Sequence, residues 1–283
     1  MTPRVAVIGD ALIDVIDDRH VPGGAALNVA VGLAKLGLSV DLISMLADDA
    51  PGAVLRAYAE GHGVRVHATR APFGTATATA TLRADSMDYV FNEAGRKRFV
   101  AVNDAQQVVL AADCVVASCV ALENARQCQE IESALAPSRP FVLDANPRDG
   151  YLWSPDAVSA FGEGLLRLAP EASLLKLSDE DAQLLYDTDP ETAAAGMLES
   201  GLAAALITEG PRGAKIVTAN GTVSRPIAHL NGDIVDTIGA GDATTAAMTA
   251  AMLQGEDWGT ALERAMLLAA ATCRGVGGEL RLP

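Results

Sequence analysis

Apolar residues fall into short continuous runs at Arg4–Ile8, Val40–Leu46, Cys114–Ala121, Phe141–Asp144, Leu174–Leu177 and Ala204–Thr208. Runs of this length, rich in Val, Ile and Leu, predict strands buried on both faces. Between them, apolar positions recur at helical spacing over roughly 25–37, 51–62, 124–136, 156–168, 179–187 and 191–200. Strands alternating with helices predict an α/β fold, a central mostly parallel sheet covered on both faces. Toward the end, Gly213–Thr218 and Thr222–Pro226 flank the turn signal Ala219-Asn220-Gly221 and predict a hairpin. Two long helical segments follow, about 239–254 and 257–274.

One segment departs from this rhythm. Thr75-Ala76-Thr77-Ala78-Thr79-Ala80-Thr81-Leu82 alternates two residue types, and Tyr89-Val90-Phe91 follows a polar turn at Asp85–Asp88. Strict alternation predicts an antiparallel hairpin with two unlike faces. Early in an α/β chain it reads either as a lid over a site or as an ordinary edge hairpin. No internal repeat occurs, and no linker is long enough to divide the chain, so residues 1–283 are expected to form one domain.

Composition narrows the partners. The net charge of −15 argues against nucleic acid and against an anionic membrane surface, both of which select basic proteins. It does not argue against phosphates, which backbone N–H groups, a few local cations and metal ions can hold. Cys114, Cys119, Cys128 and Cys273 form no C-x-x-C pair and have no His partner at zinc spacing, so they are expected as reduced thiols. The first ten residues pass into a strand pattern without an apolar leader, and the Ala-rich stretch 243–253 is too short for a membrane span. A cytoplasmic location is expected.

The chemistry centres on Asp236-Thr237-Ile238-Gly239-Ala240-Gly241-Asp242. Three small residues open a long helical segment whose first N–H groups lack intrahelical partners, which makes an anion cradle. An acid directly after such a cradle repels a phosphate, but it suits a base that takes a proton from a hydroxyl while the cradle steadies a moving phosphoryl group. Taken alone, the stretch also fits a capping motif in which Asp242 offsets the helix dipole. A second motif, Gly23-Gly24-Ala25-Ala26-Leu27-Asn28 through Gly37, starts and stops another helix with glycine. It places the amide of Asn28 one turn in, where it can donate to and accept from a polyol. Asp14 follows the first strand, at the end where open α/β sheets bind ligands.

These two motifs, in this order and about 200 residues apart, resemble the two signatures of the ribokinase-like (PfkB) carbohydrate kinases. The resemblance continues through Leu143-Asp144-Ala145-Asn146-Pro147-Arg148 with Leu152-Trp153, Lys176-Leu177-Ser178-Asp179-Glu180-Asp181, and Thr208-Glu209-Gly210-Pro211-Arg212-Gly213. It implies a three-layer α/β/α sandwich, with a small β lid from approximately 11–22 and 73–100. It implies Asp242 as the base and the amides of Gly239, Ala240 and Gly241 as the anion hole. Asp14, Gly24 and Asn28 would hold the sugar, and Arg148 would reach the phosphates or the sugar. Lys176, Ser178, Thr208, Gly210 and Gly213, with Gly241, would line ATP. Asp181 would organise Mg2+, and Asp236 with the Ile238 carbonyl would serve the monovalent cation, K+, of several members. Lid strands pairing between two copies would make a homodimer.

The chain departs from the family pattern in places. Asp181 stands for a longer Glu, Ala145 for Pro, and Met266 for Asn beside the adenine pocket; Ala243-Thr244-Thr245 lacks an aromatic, and the tail stops soon after Gly277-Gly278. Other phosphate-binding classes fit less well. Gly9-Asp10-Ala11-Leu12 lacks the G-x-G-x-x-G of a Rossmann turn, and no G-x-x-x-x-G-K-[ST] string occurs. A non-catalytic sugar or nucleotide sensor on the same fold is the remaining alternative. Gly9-Asp10-Ala11-Leu12-Ile13-Asp14 and the Asp-x-Asn-x-Arg stretch resemble fructokinase-type members, so a ketohexose such as fructose is the expected acceptor. 2-Keto-3-deoxygluconate kinase, ribokinase and nucleoside kinase are the alternatives, and Arg83, Arg96, Lys97 and Arg98 near the lid are cations an acidic sugar would need.

Overall fold

The structure, a computed structural model, describes residues 2–16, 19–83, 86–148 and 150–283, with the backbone alone at 16 and 80–89. In chain order the first elements are β1 (Arg4–Gly9), β2 (Leu12–Ile16), β3 (Arg19–Gly23), α1 (Ala25–Lys35), β4 (Ser39–Met45), α2 (Ala50–Gly61) and β5 (Arg65–Thr69). There follow β6 (Ala76–Arg83), β7 (Ser86–Phe91), α3 (Glu93–Arg96), α4 (Gln106–Leu110), β8 (Cys114–Ser118), α5 (Ala125–Ala134), β9 (Phe141–Asp144) and α6 (Pro155–Leu168). The last are β10 (Leu174–Ser178), α7 (Asp179–Tyr186), α8 (Pro190–Glu199), β11 (Ala205–Thr208), β12 (Ala214–Thr218), β13 (Gly221–Arg225), α9 (Ala240–Gln254) and α10 (Trp258–Thr272).

The large sheet has the order β13-β12-β11-β10-β9-β8-β1-β4-β5. From β5 to β11 all neighbours are parallel; β12 and β13 add an antiparallel edge. Successive residues of a strand point to opposite faces, and here both faces are covered. Val5 and Val7 pack with Leu27 of α1, Met248 of α9 and Leu262 of α10. Ala6 and Ile8 pack with Ile131 of α5, Phe161 of α6 and Met197 of α8. This two-sided burial is why the strands read as continuous apolar runs. The chain builds outward from β1 to β4 and β5, then reverses and continues from β8. The reversal lies between β1 and β8, the switch point at which open α/β sheets form a ligand crevice.

The second sheet has the order β3-β2-β6-β7, with β2 and β6 parallel and the other pairs antiparallel. The Thr/Ala alternation thus pairs as expected with 86–91, and Leu12, Ala76, Ala78 and Phe91 pack it onto Met45, Cys119 and Tyr151. Of the foreseen turn, Asp85 lies outside the described residues and 86–88 open β7.

Two expectations change. The strand foreseen as Cys114–Ala121 ends at Ser118, because Cys119 takes a left-handed φ of 51° and turns the chain. β5 was not foreseen. Its Arg65 and His67 look polar in sequence, but both reach the buried Asp41 of β4, at 2.6 and 2.7 Å, alongside Arg4 of β1 at 2.6 Å. Burial works to raise the Asp41 carboxyl, yet hydrogen bonds from Arg65, Arg4 and His67 hold it well below the usual range. Among the described residues, no helix is long and apolar enough to cross a membrane.

Candidate active site

Parallel register gathers residues that are far apart in sequence onto one sheet edge. Gly9 stands opposite Ser118, Ser118 opposite Asp144, Asp144 opposite Lys176, and Ser178 opposite Thr208. α9 starts over this edge. Gly239, with φ 79°, backs so closely onto Gly278 that a Cβ on it would collide with the Gly278 backbone. Glycine is therefore required there for conformation and for space. Gly239, Ala240 and Gly241 bring the first turn of α9 to the cleft, with the Ala240 N–H engaged by the Thr237 carbonyl at 3.3 Å.

Asp242 lies buried in that first turn. Asn28 donates from Nδ2 to its Oδ2 at 2.8 Å, joining the two motifs across 214 residues of sequence. Burial, with Asp144 adding to it, pushes the Asp242 carboxyl up to about 6, against the Asn28 hydrogen bond and the charges of Arg148 and Lys176. The Lys176 ammonium is 3.0 Å from Asp144 Oδ1 and 3.9 Å from Asp181 Oδ2. A Cβ on Gly241 would stand 3.5 Å from the Lys176 Nζ. Burial disfavours the lysine's charge, but Asp144, Asp181 and Asp242 hold its pKa above the ordinary lysine value. A carboxylate that titrates near neutrality, beside a helix N-terminus and a fixed cation, can accept a hydroxyl proton while the other two stabilise charge on a neighbouring group.

The opposite wall comes from β1, β2 and α1. Gly24 caps α1, and Asp10 accepts the Ala26 N–H at its carboxylate (3.1 Å) and the Leu27 N–H at its carbonyl (3.2 Å). Asp14 lies against Gly23, where a Cβ would strike its Oδ2. Burial and the charge of Asp10 raise the Asp14 carboxyl to about 6, Arg148 opposing and Asp236 adding. Arg148 is solvent-exposed although Cys119, Asp242, Asp10 and Asp181 surround it, so it lines an open cleft. Partial desolvation works to lower its pKa, but the carboxylates of Asp242, Asp10 and Asp181 outweigh it and hold the guanidinium charged.

The remaining foreseen residues divide. Ser178 and Thr208 are adjacent at the ends of β10 and β11, and Gly210 and Gly213 form the loop beyond them. Lys176, grouped with them in sequence, instead sits under Gly241. Ser178 and Asp181 form a capping box for α7: Ser178 Oγ accepts the Asp181 N–H (3.0 Å) and Asp181 Oδ2 accepts the Ser178 N–H (2.8 Å). Asp236 accepts N–H groups at both oxygens, from Ile238 (2.9 Å) and Gly277 (3.0 Å), and so staples the loop before α9. Among the described residues, no group of three or more His, Cys, Asp or Glu is placed to hold a metal by itself.

Asp10, Asp144 and Gly278 were not foreseen as site residues. An acid at the end of a buried strand was the available signal for the first two. Gly278 had none, because its meaning lies in what it touches: a Cβ on it would collide with the Asn28 amide. Gly278→Ala is therefore expected to displace Asn28 from Asp242 and lower kcat/KM for the sugar by on the order of tenfold to a hundredfold, read by steady-state kinetics. An unchanged kcat/KM would mean that the Asn28 position does not matter.

A family model described as pfkB family carbohydrate kinase matches residues 3–283. The aminoimidazole riboside kinase of Salmonella typhimurium is 30% identical over 274 residues, covering 92% of this chain and 84% of that protein. A fructokinase of Rhizobium leguminosarum bv. trifolii is 28% identical over 261 residues, covering 86% and 78%. An Escherichia coli protein described as a ribokinase II, solved with ATP and Mg2+, superposes with a TM-score of 0.82 at 20% identity over 98% of this chain and 94% of that one, a likeness of fold. The fold is ribokinase-like, and the chain belongs to the pfkB family of carbohydrate kinases.

Proposed function

We propose that the chain transfers the γ-phosphoryl group of ATP to a hydroxyl of a small neutral sugar, a ketohexose such as fructose. The observation that carries this reading is Asp242, buried in the first turn of α9, held by Asn28 and titrating near 6. In this reading Asp242 takes the acceptor proton, Asp14, Gly24 and Asn28 hold the sugar, and the start of α9 with Lys176 takes up charge on the phosphoryl group. Arg148 spans sugar and phosphate, and Ser178, Thr208, Gly210 and Gly213 border the nucleotide. Mg2+ bound to ATP would neutralise phosphate charge, with Asp181 reaching its waters; a single carboxylate suits an ion held mainly by water and phosphate. Asp236 is the residue offered to K+. The small sheet would close over the sugar, and pairing of its edge strands β3 and β7 between copies would give a homodimer.

Acid residues favour a neutral acceptor. Asp10, Asp14 and Asp242 face the cleft, with Arg148 as the exposed cation, so a sugar acid would meet more repulsion than attraction. The identity to aminoimidazole riboside kinase supports one second reading, a riboside acceptor. The test is ADP release with magnesium-ATP and D-fructose, D-ribose, aminoimidazole riboside, adenosine or 2-keto-3-deoxygluconate. D-Fructose is expected to give the highest kcat/KM. Higher turnover on the riboside would replace the acceptor, and binding of these sugars without turnover would favour a sensor.

A further inference from the structure

Beneath the small sheet lies a cavity, bordered by Asp10, Ser44, Arg98, Cys119 and Tyr151, with about 20 Å³ of space for the centre of a water-sized sphere. That is room for one small polar group. Among the described residues, three buried atoms on its side chains have no hydrogen-bond partner, Ser44 Oγ, Tyr151 Oη and Arg98 Nε, while Arg98 Nη2 donates to Glu123 Oε2 at 3.2 Å. Their residues are 0%, 2% and 8% exposed. Arg98 Nη1 lies 3.0 Å from Glu123 Oε1 but is not aimed at it. Buried polar groups left without partners are costly, and a cluster of them around one cavity is the signature of a site that a ligand completes.

The cavity adjoins the candidate active site through α1. Asp10, on the cavity wall, binds the Ala26 and Leu27 N–H groups, and Asn28, the next residue, binds Asp242. Arg148 lies within electrostatic range of Cys119 and Asp10 on the cavity and also of Asp242, which sets cavity and carboxylate around one side chain. The charges favour a hydroxyl over a carboxylate. Glu123 already compensates Arg98, whose guanidinium also stacks 3.9 Å from the Tyr151 ring centre, and Asp10 adds a negative wall. A hydroxyl can donate to Asp10 and accept from Arg98, Tyr151 or Ser44; a carboxylate cannot donate.

We propose that this cavity is a specificity pocket that takes the terminal hydroxymethyl group at the end of the sugar opposite the acceptor hydroxyl. The proposal rests on the neutral-sugar reading above. Its test compares kcat/KM on D-fructose with that on the analogue lacking whichever terminal hydroxyl is not phosphorylated, for wild type, Ser44→Ala, Tyr151→Phe and the double variant.

Wild type is expected to disfavour the analogue by on the order of tenfold or more, and the double variant by no more than about threefold, with KM for D-fructose raised. Unchanged discrimination in the double variant would overturn the pocket. So would a shift in thermal stability with no change in KM, which marks a purely structural role. If wild type phosphorylates D-ribose or aminoimidazole riboside but not D-fructose, the fructose reading fails by itself. The same variants on that acceptor then decide the pocket: raised KM supports it, unchanged KM overturns it. If no sugar is phosphorylated, the pocket falls with the kinase reading.

Discussion

Asp242→Asn is expected to lower turnover by a hundredfold or more while sugar binding survives. The amide keeps the size of the side chain and can still meet Asn28, now 2.8 Å from the carboxylate, but it cannot take a proton. Steady-state kinetics beside calorimetric sugar binding separates the two effects, and turnover equal to wild type would remove Asp242 from the chemistry. The wild-type pH profile should carry the same mark. With its carboxyl at about 6, the rate falls as pH drops through that value, and Asp14, titrating in the same range, steepens the limb. Stability follows the opposite sign. A carboxyl raised from 3.8 binds its proton more tightly folded than unfolded, so this contribution is full below about 3.8 and lost as pH rises through about 6. At neutral pH the Asn variant should therefore be at least as stable as wild type. Holding this carboxyl buried costs the fold some stability at neutral pH.

Lys176→Met is expected to destabilise the fold by about 3–5 kcal/mol, because it strands the Asp144 carboxylate in the core. The two side chains are 6% and 0% exposed. Ser118 donates to the other Asp144 oxygen at 2.9 Å, and among the described residues Oδ1 has Lys176 alone, at 3.0 Å. Denaturant melts should show the loss, and adding Asp144→Asn should recover a large part of it, since removing both charges removes the penalty. Equal losses in the single and double variants would mean that Lys176 acts through packing and not through its charge. The single variant should also lose turnover, as Lys176 sits beside the first turn of α9.

Some of this was legible in one dimension. Two-sided burial wrote the parallel strands as apolar runs, and glycines at 23–24, 37, 239 and 241 marked helix ends with local conformational requirements. β5 escaped because an edge strand carries charge, and the partner that makes Arg65 and His67 structural is Asp41, on the neighbouring strand. The Asp144–Lys176 pair escaped for a related reason: both lie in apolar strands, and only the register of β9 against β10 sets them opposite.

By itself, then, the sequence determined the alternation of elements, the two glycine-led helix starts and an acid one turn into α9, because these depend on near-neighbour sterics and on which faces are buried. Tertiary structure alone decided that Asn28 meets Asp242, that Gly278 wedges behind both motifs, and that Ser44, Arg98 and Tyr151 surround one cavity. A carboxyl's proton affinity is set by whatever surrounds it. The Asp242 carboxyl rises to about 6 only when folding removes its water and brings Asp144, Arg148 and Lys176 around it.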